Sequence, residues 1–363
     1  MLNTRITKGL NSNLKLLSLR RYKSVGYIVN SLQKIKEASI NDNVKSTEQH
    51  KKEKVPQRKA ENLISPNDLY YCFKYAEEPV PLNWKLAKAQ SFFNNSSVDF
   101  LWSLDEYDDI PDVKYSILKD QIIEDNQKKS HEVATEKLHR IRPPAHLLKQ
   151  LPEVLFIGHT NAGKSTLINN LLMRKQQQLS KSLQEHAYVS KKSGYTKTLN
   201  CFDINNRIRF VDSPGYGLMG KENQGKAVID YISQRRNLCK VYVLLDSVYG
   251  FAEADIQLIS LLTEYGVSFD IVFTKVDKII QRKSNFKHGK RIDKCQSHFD
   301  NSVAEINESI IEHFENLVEQ IGIRGLPSLP KLFFSNSELS SRVPKRYGYN
   351  YLRCGILESC GLL

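Results

Sequence analysis

Acidic residues are missing from the first 36 positions of this 363-residue chain, although the whole sequence carries 40 of them. Cysteine is sparse, and the six thiols (Cys72, Cys201, Cys239, Cys295, Cys354, Cys360) include no C-x-x-C pair. That pattern argues against zinc ligation and a disulfide framework, and fits reduced thiols in an internal compartment. No run of 18 apolar residues occurs, so no membrane-spanning helix is expected. No internal repeat is visible. With 40% hydrophobic and 26% charged residues, the composition is globular, and the length suffices for one large or two ordinary domains.

The net charge of +13 invites a nucleic-acid reading, but much of it is local. Residues 1–36 hold Arg5, Lys8, Lys15, Arg20, Arg21, Lys23, Lys34 and Lys36. Without those eight, 45 basic residues face 40 acidic ones, a mild excess of five. RNA contact stays open and is not shown by charge. In the opening segment MLNTRITKGLNSNLKLLSLRRYKSVGY, Leu10, Leu14, Leu17 and Leu19 can share much of one helical face, with cations around it. This is the composition of a mitochondrial transit peptide, and Lys15 interrupts the apolar core a secretory signal needs. Arg20-Arg21-Tyr22-Lys23-Ser24 resembles a matrix-protease site. The alternative is a basic tail that binds RNA.

Four segments are therefore expected. Residues 1–36 are a mitochondrial presequence and basic tail, with the matrix as destination. Residues 37–62 are polar enough to be a disordered linker. Residues 63–148 read as a partly helical N-terminal extension, aromatic-rich from Tyr70 to Trp102 and ending in the stiff Arg142-Pro143-Pro144. Residues 149–363 form the main domain.

From Leu151 short apolar runs alternate with helical stretches. EVLFIG (153–158), VYVLLD (241–246), FDIVFT (269–274) and KLFFS (331–335) read as buried parallel strands. LNCFDI and IRFVD flank Asn205-Asn206 as a hairpin. Residues 165–175, 303–321 and 347–360 have helical spacing. The pattern predicts an α/β fold with a doubly wound, mostly parallel six-stranded sheet, whose site lies at the strand C-termini.

Gly158-His159-Thr160-Asn161-Ala162-Gly163-Lys164-Ser165 fits G-x-x-x-x-G-K-[ST] between a strand and a helix. Such a loop turns backbone N–H groups around an anion at the positive end of a helix. Lys164 is expected to bridge the β- and γ-phosphates, and the Ser165 hydroxyl to ligate Mg2+. Gly158, Asn161, Ala162, Gly163 and Thr166 complete the phosphate-binding set. Asp212-Ser213-Pro214-Gly215 ends the IRFVD strand. It places Asp212 to hold Mg2+ through water and the Gly215 N–H to meet a γ-phosphate. The long polar stretch 176–198 can cover that phosphate if a hydroxyl reaches Mg2+; Thr196 is the candidate and Thr198 its rival. Thr274-Lys275-Val276-Asp277 follows FDIVFT. The Asp277 carboxylate can accept two hydrogen bonds from guanine N1 and N2, where adenine offers no matching pair. At about 1.5–3 kcal/mol per charge-assisted bond, losing both costs roughly 3–6 kcal/mol, which selects GTP over ATP. Lys275 would lay its stem along the base. Ser335-Asn336-Ser337 would close over it, with backbone contact to the guanine oxygen.

These motifs resemble the EngB branch of the translation-factor-related GTPases. LPEVLFIGHTNAGKSTLIN, SKKSGYTKTLNCFDI, FVDSPGYG, LLDSVYGFAEADIQLISLL and FTKVD carry the likeness in register over roughly 210 residues. Thr196 matches the family's first-switch threonine. With the presequence, the chain resembles a mitochondrial member. The resemblance implies a GTP-hydrolysing switch with Mg2+ that assists assembly of the mitochondrial large ribosomal subunit. The implied partners are GTP, GDP and a mitochondrial ribosomal particle or rRNA; no oligomer is implied, and a monomer is expected. It also implies K+ held by Asn161. Lys164, Thr196 and Gly215 would be the catalytic set. No glutamine follows Asp-Ser-Pro-Gly, where Tyr216 stands, so hydrolysis is expected to be slow. A nucleotide-stabilised RNA-binding scaffold is the alternative, motivated by the basic RKSNFKHGKR at 282–291.

Overall fold

Parallel strands are stable only when both faces are covered, so their sequences read as nearly continuous apolar runs. EVLFIG and FDIVFT are of this kind, and every residue of both is buried in the computed structural model. The structure describes residues 62–75, 78–126, 138–173, 198–216, 222–286 and 296–363. The expected presequence and nearly all of the expected linker lie outside these residues, as do Thr196 and the second half of the 282–291 segment.

The segment before the phosphate loop supplies helices α1 (Pro66–Phe73) and α2 (Asn83–Asn94), strand β1 (Val98–Leu104) and helix α3 (Pro111–Asn126). Then follow β2 (Glu153–Gly158), α4 (Lys164–Leu172), β3 (Leu199–Ile204), β4 (Ile208–Asp212) and α5 (Glu222–Gln234). The rest is β5 (Leu238–Asp246), α6 (Glu253–Glu264), β6 (Phe269–Thr274), α7 (Val276–Phe286), α8 (Gln296–Gln320), β7 (Leu332–Phe334) and α9 (Tyr349–Ser359). The sheet order is β1-β3-β4-β2-β5-β6-β7. β2 pairs in parallel with β4 and β5, β5 with β6, and β6 with β7, while β3 runs antiparallel to both β1 and β4.

The sheet has seven strands where the sequence predicts six. The seventh, β1, comes from the residues before the phosphate loop and pairs with β3 from Val98↔Ile204 to Leu104↔Leu199. Its register shifts between Phe100 and Trp102. Trp102 is buried at 7% exposure, whereas Phe100 faces solvent at 59%. Aromatic residues at 63–104 enter the common core. Tyr70 stacks on Tyr351 at 4.3 Å, Phe73 meets Phe334 at 5.3 Å, and Phe93 meets Phe210 at 6.0 Å. α1 starts with a reciprocal cap. Asp68 N–H donates to Ser65 Oγ at 3.3 Å, and Ser65 N–H donates to Asp68 Oδ2 at 2.9 Å.

A buried ion network ties the far end of the sheet together. Glu153, at the start of β2, is fully buried and accepts Arg235 Nε and Nη2, each at 2.7 Å. Tyr231 hydroxyl and Arg209 Nη1 donate to the same carboxylate. Arg235 Nη1 continues to Asp112 of α3 at 2.8 Å. Removing one partner strands a buried charge, which costs far more than a surface pair. Arg235→Ala is therefore expected to lower unfolding stability by about 3–5 kcal/mol, read from denaturant midpoints. A loss below 1 kcal/mol would show that water reaches Glu153.

Candidate functional site

The site gathers at the C-terminal ends of β2, β4 and β6. After Gly158 the chain turns through Asn161 and Gly163, both with positive φ (68° and 93°), into α4. Glycine adopts that conformation without the Cβ clash that other residues meet. Successive turns of this kind point backbone N–H groups into one concavity, an anion cradle at a helix mouth. Ala162 N–H donates to His159 O at 3.0 Å and closes the loop. Lys164 is buried at 7% exposure, with Nζ donating to Gly158 O at 2.8 Å and His159 O at 3.1 Å. Burial lowers its pKa to about 8, against the opposing charges of Asp212 and Asp255.

Ser165 Oγ donates to Asp212 Oδ2 at 2.6 Å, so the first residues of α4 and the end of β4 meet. Asp212 Oδ1 is buried without a hydrogen-bond partner. Burial raises the Asp212 pKa to about 6, and the Ser165 bond and Lys164 charge only partly offset it. A hydroxyl and a carboxylate with a spare oxygen are hard donors of the kind Mg2+ takes, so the residues fit that ion. The loop after Asp212 lies against the phosphate loop. Thr160 N–H and Oγ1 both donate to Tyr216 O, at 3.0 and 3.1 Å. A side chain at Gly215 would stand 2.7 Å from Thr160 Cα, so only glycine allows this approach. Tyr216 hydroxyl donates to Asp255, which also caps α6 by accepting Ala252 N–H at 2.8 Å.

Thr274, at the end of β6, donates through Oγ1 to Ala162 O at 2.8 Å and Leu245 O at 3.2 Å. This bond ties the candidate base strand to the phosphate loop. Lys275 has φ 57° and holds Asp246 Oδ2 through Nζ at 2.6 Å. Asp277 is 1% exposed, and its Oδ2 has no hydrogen-bond partner. Burial and the nearby Glu338 charge raise its pKa to about 6. Ser335 binds the end of β6, with its N–H on Phe273 O at 2.9 Å. Asn336 is fully buried, with Nδ2 on Glu338 O and Lys345 O and Oδ1 accepting Tyr347 N–H. Its side chain braces the loop. Ser337 Oγ pairs with Tyr349 hydroxyl at 3.0 Å.

Two of the expected switch threonines differ in standing. Thr196 lies outside the described residues. Thr198 Oγ1 is engaged by Ser103 Oγ of β1 at 2.7 Å and by Asn200 Oδ1 at 3.2 Å. Thr166 is half-buried on α4, with its carbonyl accepting Asn170 Nδ2 at 2.7 Å. No sequence motif announces Asp246, Asp255 or Arg353 as part of the site. Arg353 is fully buried and donates to Leu171 O at 2.8 Å and to Asn170 O and Met173 O, capping the last turn of α4.

Strand order, anion cradle and the carboxylate at the end of β4 define a G domain of the P-loop GTPase class. Residues 153–275 match the family described as 50S ribosome-binding GTPase. The chain is 34% identical over 308 residues to MIOREX complex component 8 of Saccharomyces cerevisiae, covering 85% of this chain and 83% of the relative. It is 35% identical over 179 residues to a probable GTP-binding protein EngB of Prosthecochloris aestuarii, covering 47% of this chain and 88% of the relative. A Streptococcus pyogenes EngB protein is 38% identical over 167 residues, covering 45% and 78%. The chain belongs to the EngB family of GTP-binding proteins.

The raised Asp277 pKa has a stability consequence. A carboxyl whose pKa rises from 3.8 to about 6 on folding stabilises the fold while protonated. That contribution is complete below about pH 4 and is lost as pH rises to about 6. At pH 7, nucleotide-free Asp277→Asn is therefore expected to be more stable than wild type, by about 1–3 kcal/mol. The difference should vanish below pH 4. A less stable variant at pH 7 would show that Asp277 is already compensated.

Proposed function

We propose that this chain binds GTP with Mg2+ and hydrolyses it slowly to GDP and phosphate, as a switch in assembly of the mitochondrial large ribosomal subunit. The observation that carries the nucleotide reading is the pair of unpartnered buried oxygens, Asp212 Oδ1 and Asp277 Oδ2, on either side of the phosphate loop. Burying a carboxylate oxygen without a donor is unfavourable, so a ligand that supplies the donors is favoured there. Guanine N1 and N2 would satisfy Asp277.

Lys164 would leave the carbonyls of Gly158 and His159 for the β- and γ-phosphates, while the backbone from Asn161 to Thr166 cradles them. Mg2+ would be held by Ser165, Thr196 and Asp212, and when bound it neutralises charge on the phosphate oxygens. Gly215 N–H is the donor for the γ-phosphate. Asn161, exposed at the tip of the loop, is the residue for K+. Lys275, steadied by Asp246, would lie along the base, and the backbone of 335–337 would meet the guanine oxygen. Tyr216 is bound to Asp255 and so is poorly suited to orient water, which supports a slow reaction.

The ribosomal reading is supported by the description of the matched family, 50S ribosome-binding GTPase. The mitochondrial reading rests on the acid-free, arginine-bearing first 36 residues. In this reading 37–62 is a linker, 63–148 an extension and 149–363 the G domain. The Tyr216 bond also favours a second reading, a nucleotide-stabilised scaffold. Full rescue of a null strain by Lys164→Ala would favour the scaffold.

Asp277→Asn is expected to weaken GTP binding about a hundred- to ten-thousand-fold and to gain affinity for the xanthine nucleotide. Unchanged GTP selectivity would remove Asp277 from the site. Single-turnover hydrolysis should run faster in K+ than in Na+ at equal ionic strength, and Asn161→Ala should erase that difference. Equal rates in the two ions with wild type would exclude K+.

A further inference from the structure

Cys239 and Cys360 lie 121 residues apart, yet the fold brings them to one place. Cys239 occupies the one position where β5 breaks its register with β2. Glu153 pairs with Leu238 and Val154 with Lys240, so Cys239 is the extra residue of a bulge. In a regular strand Cys239 would face away from Tyr242. At such a bulge the alternation of faces breaks, so Cys239 is not bound to face away from Tyr242; its Sγ lies 3.5 Å from Asn237 O and also meets the Cys360 thiol. The Tyr242 side of the sheet is covered by α9, which packs against β5. A Cβ at Gly355 of α9 would lie 3.5 Å from the Tyr242 hydroxyl. Cys360 is the C-cap of the same helix, five residues beyond Gly355, with its N–H on Ile356 O at 3.1 Å. Both thiols are free and half-buried, neither sealed in the core nor fully in solvent.

We propose that Cys239 and Cys360 form a two-thiol oxidation site that reduces hydrogen peroxide and closes to a disulfide. The Cys239 thiolate attacks one peroxide oxygen and the O–O bond breaks. Hydroxide leaves and takes a proton to become water, and Cys239 becomes a sulfenic acid. The Cys360 sulfur, losing its proton, then attacks the Cys239 sulfur and displaces the second hydroxide, which leaves as water. Two thiols and one peroxide give one disulfide and two waters. The sulfurs lose two electrons in total and the peroxide gains them.

The roles within the pair differ. Cys239 is assigned as the attacking sulfur, because the contact with Cys360 lowers its pKa despite some burial. Cys360 is the resolving thiol, and the same contact together with burial pushes its pKa up. Cys72, on α1, provides an internal control, since burial raises its thiol to about 12.

The test uses the full chain at neutral pH with near-stoichiometric hydrogen peroxide. Alkylation of remaining thiols, digestion without reductant and mass spectrometry follow. One linked peptide pair joining Cys239 to Cys360 is expected, lost on treatment with dithiothreitol. Oxidation at Cys239 should be at least about tenfold faster than at Cys72. Cys360→Ser should leave a sulfenic acid at Cys239 that dimedone traps. The proposal is overturned if wild-type Cys239 is oxidised while Cys360 stays free, or if Cys360 links to another thiol. It is equally overturned if Cys239 reacts no faster than Cys72.

Discussion

Two carboxylates, Asp212 and Asp277, are buried at the rim of the phosphate loop, and each keeps one oxygen without a hydrogen-bond donor. Such groups are costly in a folded protein and persist only where the surroundings hold them in place. Here the surroundings are rigid. Asp212 ends a fully buried strand and is pinned by Ser165, and Asp277 sits in the first turn of α7 directly after a second buried strand. The Thr274–Ala162 bond fixes the two halves of the site to each other, so the distance between anion cradle and base pocket is set by the core. The unpaired oxygens and the Lys164 ammonium, resting on backbone carbonyls, then describe a site shaped for a charged ligand.

The residues before the phosphate loop are joined to the same frame at several points. β1 extends the sheet beside β3, and Ser103 holds Thr198, the last residue of the polar stretch 176–198. Asn67 of α1 accepts Gly348 N–H at 2.9 Å, at the start of α9. Arg353 of α9 reaches both Gln90 of α2 and the carbonyls that end α4. Asp112 of α3 completes the Glu153–Arg235 network at the opposite end of the sheet. These contacts make the aromatic-rich segment part of the core that carries the site.

Much of the strand pattern was legible because buried parallel strands leave unbroken apolar runs, and the phosphate loop because its glycines, lysine and serine stand at fixed spacing between a strand and a helix. Strand β1 was not legible: VDFLWSL mixes buried Trp102 with exposed Phe100, and its partner β3 lies about a hundred residues away. The same holds for the Thr274 tie, the Lys275–Asp246 pair and the Arg353 cap, which join residues distant in sequence with no local spacing to announce them. Asn336 falls in the expected base loop, and only the fold shows that its side chain is spent on bracing that loop.

The most direct test of a nucleotide-shaped site is titration calorimetry of GTP, and separately of ATP, onto nucleotide-free full-length protein with Mg2+. GTP should bind with heat release and at least about a hundredfold more tightly than ATP. No association on well-folded protein, or equal affinity for the two nucleotides, would contradict the assignment of Asp212 and Asp277 to a guanine-nucleotide site.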